Sequence, residues 1–442
     1  MGGYILQKTS NKTLKYYIKD NIVFIVSMAI SSLLVIWGVI DGSGFSEIAN
    51  KIYLFLENNF SWFYLIVTFF LVVFCIYLGF GKFGNIKLGP EDSKPEFKTT
   101  TWFAMLFCAG MGVGLVFWSI SEPLAHYINP IEGITPLSKE AMNFSIKSCF
   151  MHWGVHPWSL YAVVGLGLAY FQYKKNKPAL ISSLLEPIIG ESRVNGFIGK
   201  MVDIFSTVLT VIGVSTSLGM ACMQICEGLN YLFGIEINVK VWIILIVIVA
   251  CIYIMSSVSG LNKGMTYLSN INIFLAICLL IIAFCIGPMQ TTLKTIVNGV
   301  GLYISNFVSD SLKLDPYGEN IWIYTWRVFY WAWWITWSPF VGVFIARISK
   351  GRTIREFVAG VILVPSIACM IWFGVFGSLA LNVVNLFSID ALTSMAVNPE
   401  TALYIIFNKY SIGTLLSIIS IIVLLIFFIT SADSAIFVIG MM

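Results

Sequence analysis

Five tryptophans fall between Trp326 and Trp337 in the run YTWRVFYWAWWITWSPFVGVFIARISKGRTIR. Trp326, Trp331, Trp333, Trp334 and Trp337 open an apolar span that closes on Arg347, Lys350, Arg352 and Arg355. Membrane proteins usually place tryptophan at the lipid headgroups. Here Trp333, Trp337, Phe340 and Phe344 recur at helical spacing, so one helix face carries aromatic rings into the bilayer. Such a stripe often packs a core. Several indoles together also form a cage for a cation with no N–H donors, a quaternary ammonium, which binds to ring faces.

Other segments hold residues suited to binding. AGMGVGLVFWSISEP places Gly110, Gly112 and Gly114 at alternate positions. Gly110 and Gly114 alone fit close helix packing, but Gly112 lies on another face. Three glycines within five residues weaken a helix, and an opened turn at membrane depth lines a cavity, with carbonyls for ions and amides for a carboxylate. MHWGVHPWSLY adds Trp153, Trp158 and Tyr161, with Pro157 expected to disturb the helix and the histidines read as structural. Thr210, Ser215, Thr216 and Ser217 suggest close contact by one small-residue span, although such hydroxyls often bond back to their own helix. FFITSADSA sets Thr430, Ser431 and Asp433 near membrane depth, where a carboxylate is costly and points to function or to a helix-end hydrogen bond.

The elements that must position these residues are membrane helices. Of 442 residues, 58% are hydrophobic and 11% charged, and mean hydropathy is +0.88. Long uncharged runs recur along the chain, so it reads as an all-α polytopic membrane protein. Ten spans are expected at 22–40, 61–80, 100–121, 148–173, 203–228, 241–261, 266–288, 322–346, 356–386 and 411–436, with surface helices near 290–308 and 398–409. The first run is too long for a cleavable signal. Nine cysteines lie in or beside apolar runs without a CxxC pair or a Cys/His cluster, arguing against disulfides and zinc. With the N-terminus inside, 18 of the 26 Lys and Arg are inner, among them Lys8, Lys12, Lys15, Lys19 and Lys263. That bias predicts a cytoplasmic N-terminus. A net charge of +4 gives no sign of nucleic-acid binding.

Together LGPEDSKPEFKTTTWFAMLFCAGMGVGLVFW, HWGVHPWSLY, WAWWITWSPFVGVFIARISKGRTIREF and FFITSADSA resemble the betaine/carnitine/choline transporters over nearly the whole length. The resemblance implies the inverted-repeat fold of the leucine transporter. Residues 1–98 would hold an N-terminal segment and two peripheral helices, 99–289 the first five-helix repeat, 290–321 an outer surface helix and connection, and 322–442 three helices of the second repeat. The family has twelve spans, so the sequence reads as truncated after the tenth.

Carried over by position, the resemblance implies an aromatic box of Trp153, Trp158, Tyr161, Trp333, Trp334 and Trp337. Phe117 and Phe329 would flank it, Ser217 would face the pathway, and Phe340 and Phe344 would line the exit. Met111, Gly112 and Gly114 would meet the substrate carboxylate through backbone groups. One sodium site would use Thr430 and Ser431 with carbonyls of Cys108, Met111 and Phe427. A second would use Thr210 and Phe340, but Val214 stands where a hydroxyl is expected. The implied activity is sodium symport of a quaternary ammonium compound at the plasma membrane by a homotrimer, with no cofactor beyond sodium as coupling ion. Glycine betaine is favoured, with choline and carnitine behind it. Sodium-independent antiport, an inactive truncated transporter and a non-transporting sensor stand as alternatives. A channel would need a polar lining, and an enzyme a metal cluster or paired acid and base.

Overall fold

The computed structural model describes residues 21–259, 266–318 and 320–440. Lys8, Lys12, Lys15, Lys19 and Lys263 of the charge argument lie outside the described residues. Most described residues are helical, the connection over 81–98 is long, and one isolated bridge joins Lys87 and Thr353. We number the main helices α1 (Ile22–Ile40), α2 (Gly42–Phe80), α3 (Thr99–Gly110), α4 (Gly112–Ile128), α5 (Lys139–Trp153), α6 (Val155–Lys175), α7 (Phe197–Phe233) and α8 (Val239–Ser259). There follow α9 (Thr266–Ile286), α10 (Met289–Ser305), α11 (Ile323–Ile348), α12 (Ile354–Leu386), α13 (Ile389–Val397), α14 (Pro399–Phe407) and α15 (Gly413–Ile439).

Among the described residues, eight helices are long and apolar enough to cross a membrane, and α3 with α4 makes a ninth if the bent pair is one span. The remaining expected span, 148–173, falls on α5 and α6, whose histidines, hydroxyls and lysines dilute its apolar character. The break there lies at Gly154, not at Pro157 as expected. Pro157 sits in the first turn of α6, where its missing N–H leaves no intrahelical bond unmade. The helix expected near 290–308 is α10, which is mostly exposed. The one near 398–409 corrects the surface reading. In α14 Leu403, Tyr404, Ile406 and Phe407 are all buried, packed against α4 and α7. ALYIIF is apolar on almost every side and leaves no polar face for solvent.

The peripheral helices bury little: α1 buries only Ser27 and Ser31 and rests on α7 and α2. The interior is built by α4, α6, α11, α12 and α15. The most extensive packing is between α6 and α11. A Cβ placed at Gly342 would lie 2.5 Å from Val164 Cγ1, and one at Gly165 would lie 3.2 Å from the Gly342 carbonyl. Small residues on both helices therefore allow near backbone contact. That crossing sets Tyr161 of α6 against Trp334 of α11, beside Trp153 at the end of α5.

Candidate functional site

The span holding the alternate glycines bends by 64° between α3 and α4. Gly112 adopts φ +35°, a conformation open to glycine at little cost, and Met111 joins the two helices. The opening is short, because Met111 N–H still reaches the Phe107 carbonyl (3.1 Å) and Leu115 N–H the Met111 carbonyl (3.3 Å). A Cβ at Gly112 would lie 2.8 Å from Ser431 Oγ, which puts the bend directly against α15. Met111, Phe117, Cys108 and Phe427 are buried around it.

The flanking glycines seat rings. A Cβ at Gly110 would meet Trp158 Cη2 at 2.5 Å, and one at Gly114 would meet Trp153 Cη2 at 3.0 Å and Trp333 Cη2 at 3.5 Å. Trp333 and Trp334 stack with centroids 4.9 Å apart. Trp153 stands edge-on to Trp334 at 5.1 Å, and Tyr161 meets Trp334 at 6.1 Å and Trp158 at 5.7 Å. Five of the six expected box residues therefore form one connected ring cluster. Trp337 stands one turn along, against Phe340 and the Gly213 backbone of α7. Trp331 stacks on His156, and Trp326 meets Trp118 and His126, so the tryptophans divide between faces of α11. Phe329 is half-exposed beside Tyr53 and Trp333, at the edge of the cluster. Phe340 and Phe344 are buried further along α11. Among the buried polar atoms without a protein partner are Tyr161 O–H, Ser217 O–H and the indole N–H groups of Trp333 and Trp337. Buried donors are normally paired, so four of them in this region call for a ligand or water acceptor.

Two of the hydroxyls expected to hold cations, those of Thr430 and Thr210, are buried but bonded locally. Thr430 Oγ1 donates to the carbonyls of Ile426 (2.9 Å) and Phe427 (3.2 Å), and Thr210 Oγ1 to that of Ser206 (2.9 Å). Donation in that direction leaves the oxygen lone pairs open to a cation. Ser215 and Thr216 are exposed, which separates them from buried Ser217. Asp433 is buried and accepts a hydrogen bond from Ser256 of α8.

The sequence reading missed Glu122. Its side chain is fully buried, and its carboxylate accepts from Trp153 Nε1 (2.7 Å), Tyr330 O–H (2.6 Å), His152 Nδ1 (2.8 Å) and His126 Nε2 (3.3 Å). Trp322 N–H donates to His126 Nδ1 (3.2 Å), which assigns the proton of a neutral ring to Nε2, facing the carboxylate. Trp334 N–H closes the set on the His152 carbonyl (2.9 Å). Glu122 and His126 at i and i+4 of SEPLAHY could have signalled this site. Cys149 joins them in a group whose ligand atoms lie within 4.8 Å of one another, correcting the reading that no Cys/His cluster forms. Residues of α4 and α5 that are distant in sequence meet here through packing. The carboxylate lone pairs already serve four donors, so the group is a hydrogen-bond lock better than a metal site. It is also a paired acid and base, fully buried.

A many-span helical protein with a bent glycine span facing an aromatic cluster defines a membrane transporter. The chain belongs to the betaine/carnitine/choline family of transporters, whose family model matches residues 22–442. It is 45% identical over 422 residues to the glycine betaine transporter OpuD of Bacillus subtilis, covering 95% of this chain and 81% of that protein. It is 42% identical over 427 residues to an ectoine/hydroxyectoine transporter of Virgibacillus pantothenticus, covering 96% and 84%. A glycine betaine transporter of Acinetobacter baylyi is 39% identical over 414 residues, covering 93% and 62%. Transporters are a non-enzymatic class.

Proposed function

We propose that this chain imports a quaternary ammonium compound by sodium symport, with glycine betaine the favoured substrate and choline or carnitine behind it. The carrying observation is the stacked Trp333–Trp334 pair facing Trp153 across the Gly114 notch. A trimethylammonium group has charge but no N–H donor, and each desolvated ring contact is worth roughly 2 kcal/mol. The unpartnered donors of Tyr161, Ser217, Trp333 and Trp337 suit the carboxylate of a zwitterion. The relatives named for glycine betaine support this choice. The relative named for ectoine makes that amidinium zwitterion the competitor to test.

Sodium would sit at the α3–α4 bend, held by Thr430 and Ser431 with carbonyls of Cys108, Met111 and Phe427. Each sodium carried with a zwitterion moves one charge inward, about 2.3 kcal/mol per 100 mV. The bend at Met111 interrupts the span that would open the first repeat, and a π-helical turn, Ile323–Val328, distorts the start of the span that would open the second. They support alternating access through a leucine-transporter-like fold. The Lys and Arg bias supports a cytoplasmic N-terminus in the plasma membrane; a homotrimer rests on the family resemblance. Uptake of labelled glycine betaine into proteoliposomes, with and without an inward sodium gradient, tests the reading. Sodium-driven accumulation supports it, exchange without sodium supports antiport, and a preference for ectoine overturns the substrate.

A further inference from the structure

A buried anion at Glu122 is costly in a membrane interior, and a lock needing only shape could be neutral. Two of its four partners are donors that suit an ionised carboxylate. Trp153 Nε1 donates only, and His126 presents a proton because Trp322 occupies its other nitrogen. Among the described residues no lysine or arginine pairs with it, and the two histidines at pairing distance carry charge only when protonated. The carboxylate therefore has no lysine or arginine in direct contact, and its hydrogen bonds lead into the aromatic cluster. Trp153 has its N–H on Glu122 and the far end of its indole, Cη2, at the Gly114 notch beside Trp333. Tyr330 has its O–H on the same carboxylate oxygen and its ring 5.7 Å from Trp333 and 5.8 Å from Trp334.

We propose that Glu122 is the remote counter-charge of the cationic headgroup: a positioning residue that also raises the cation affinity of the rings it binds. A hydrogen bond from an indole or phenol to an anion pushes electron density toward the ring, and in a low-dielectric site this polarisation is little screened. The face of Trp153 then attracts a cation more strongly than an unbonded indole would. The carboxylate itself stays sealed, so it supplies negative potential without offering the substrate a competing ion pair. This inference rests on the cage reading above.

The test compares glycine betaine with 3,3-dimethylbutanoate, which has carbon in place of the ammonium nitrogen and so the same shape without the positive charge. Dissociation constants for both are measured on the purified, folded full chain, for wild type, Glu122→Gln and Glu122→Asp. Glu122→Gln should lower the preference for glycine betaine over its carbon analogue about tenfold, while Glu122→Asp, which keeps the charge, preserves it. Equal weakening of both ligands by Glu122→Gln would reduce Glu122 to scaffolding and overturn the proposal. Wild type binding neither ligand, or both equally, would overturn the cage reading and this inference with it. If Glu122→Gln does not fold, Tyr330→Phe is read instead. Cutting that donor should lower the preference about threefold, and an unchanged preference overturns the proposal.

Discussion

At its aromatic end, α11 meets α4 through Tyr330 and Glu122, with both side chains fully buried. At its basic end, Arg347 meets Glu96 in a bidentate pair (2.8 and 3.0 Å) with both side chains about a third exposed. Backbone bonds join the same loops: Leu88 N–H to the Arg352 carbonyl and Gly351 N–H to the Leu88 carbonyl, both 2.8 Å. Arg352 also lies over the Trp102 ring at 3.8 Å, and Trp102 N–H donates to Ser349 Oγ (3.0 Å). Both ends thus tie α11 to the span that begins at Thr99. The buried end concentrates its hold in one charge; the other spreads it over backbone bonds and a solvated pair. Water decides the difference, because removing a partner from a buried charge strands it, while an exposed partner is replaced by solvent.

The largest expected effect is at the buried end. Glu122→Ala leaves an indole, a phenol and two imidazoles buried without their acceptor, and should cost about 3 kcal/mol. Thermal unfolding in detergent checks this; a loss no greater than that of Glu96→Ala would break the comparison. Next is the cage itself: Trp334→Ala should weaken glycine betaine binding by about thirtyfold, the loss of one desolvated cation–π contact, in an equilibrium binding assay. Ser431→Ala, beside the bend at Gly112, should raise the sodium needed for half-maximal uptake by roughly tenfold, for loss of one ion-directed oxygen. An unchanged sodium dependence would move the ion elsewhere.

Smaller effects belong to the basic end. Arg352→Ala should cost about 1–2 kcal/mol, from the Trp102 contact and the bond to the Phe97 carbonyl (3.0 Å). Smallest is Glu96→Gln, at below about 1 kcal/mol. The Arg347 hydrogen bond holds the Glu96 carboxyl below its ordinary value of 4.5. Its contribution is therefore complete above that ordinary value and is lost as pH falls through the lowered one. Wild type and Glu96→Gln should differ slightly at pH 7 and converge in acid; a gap that widens on acidification would contradict this assignment.

Nine of the ten expected spans are among the long apolar helices and the bent pair, because hydrophobicity over about twenty residues reports burial in lipid directly. The glycine bend was legible for a related reason, since Gly112 needs its own φ whatever surrounds it. The basic run after α11 was legible as charge, but not as a latch to residues 84–97. Composition did not tell Ser217 from Ser215 and Thr216; only the family resemblance singled it out, because the inward face of α7 is set by packing.

By itself, then, the sequence determined the helical membrane class, the family, the bend and the tryptophan segment, all of which are local or compositional properties. Tertiary structure alone decided that Trp333 and Trp334 join Trp153 while Trp331 and Trp326 turn away, that α14 is buried, and that Glu122 gathers Trp153 and Tyr330. Those partners lie 31 and 208 residues from Glu122 along the chain. A hydrogen bond acts over about 3 Å, and helical periodicity names a face without naming what packs against it. Only the crossings of α4, α5 and α11 bring one carboxylate within that reach of both rings.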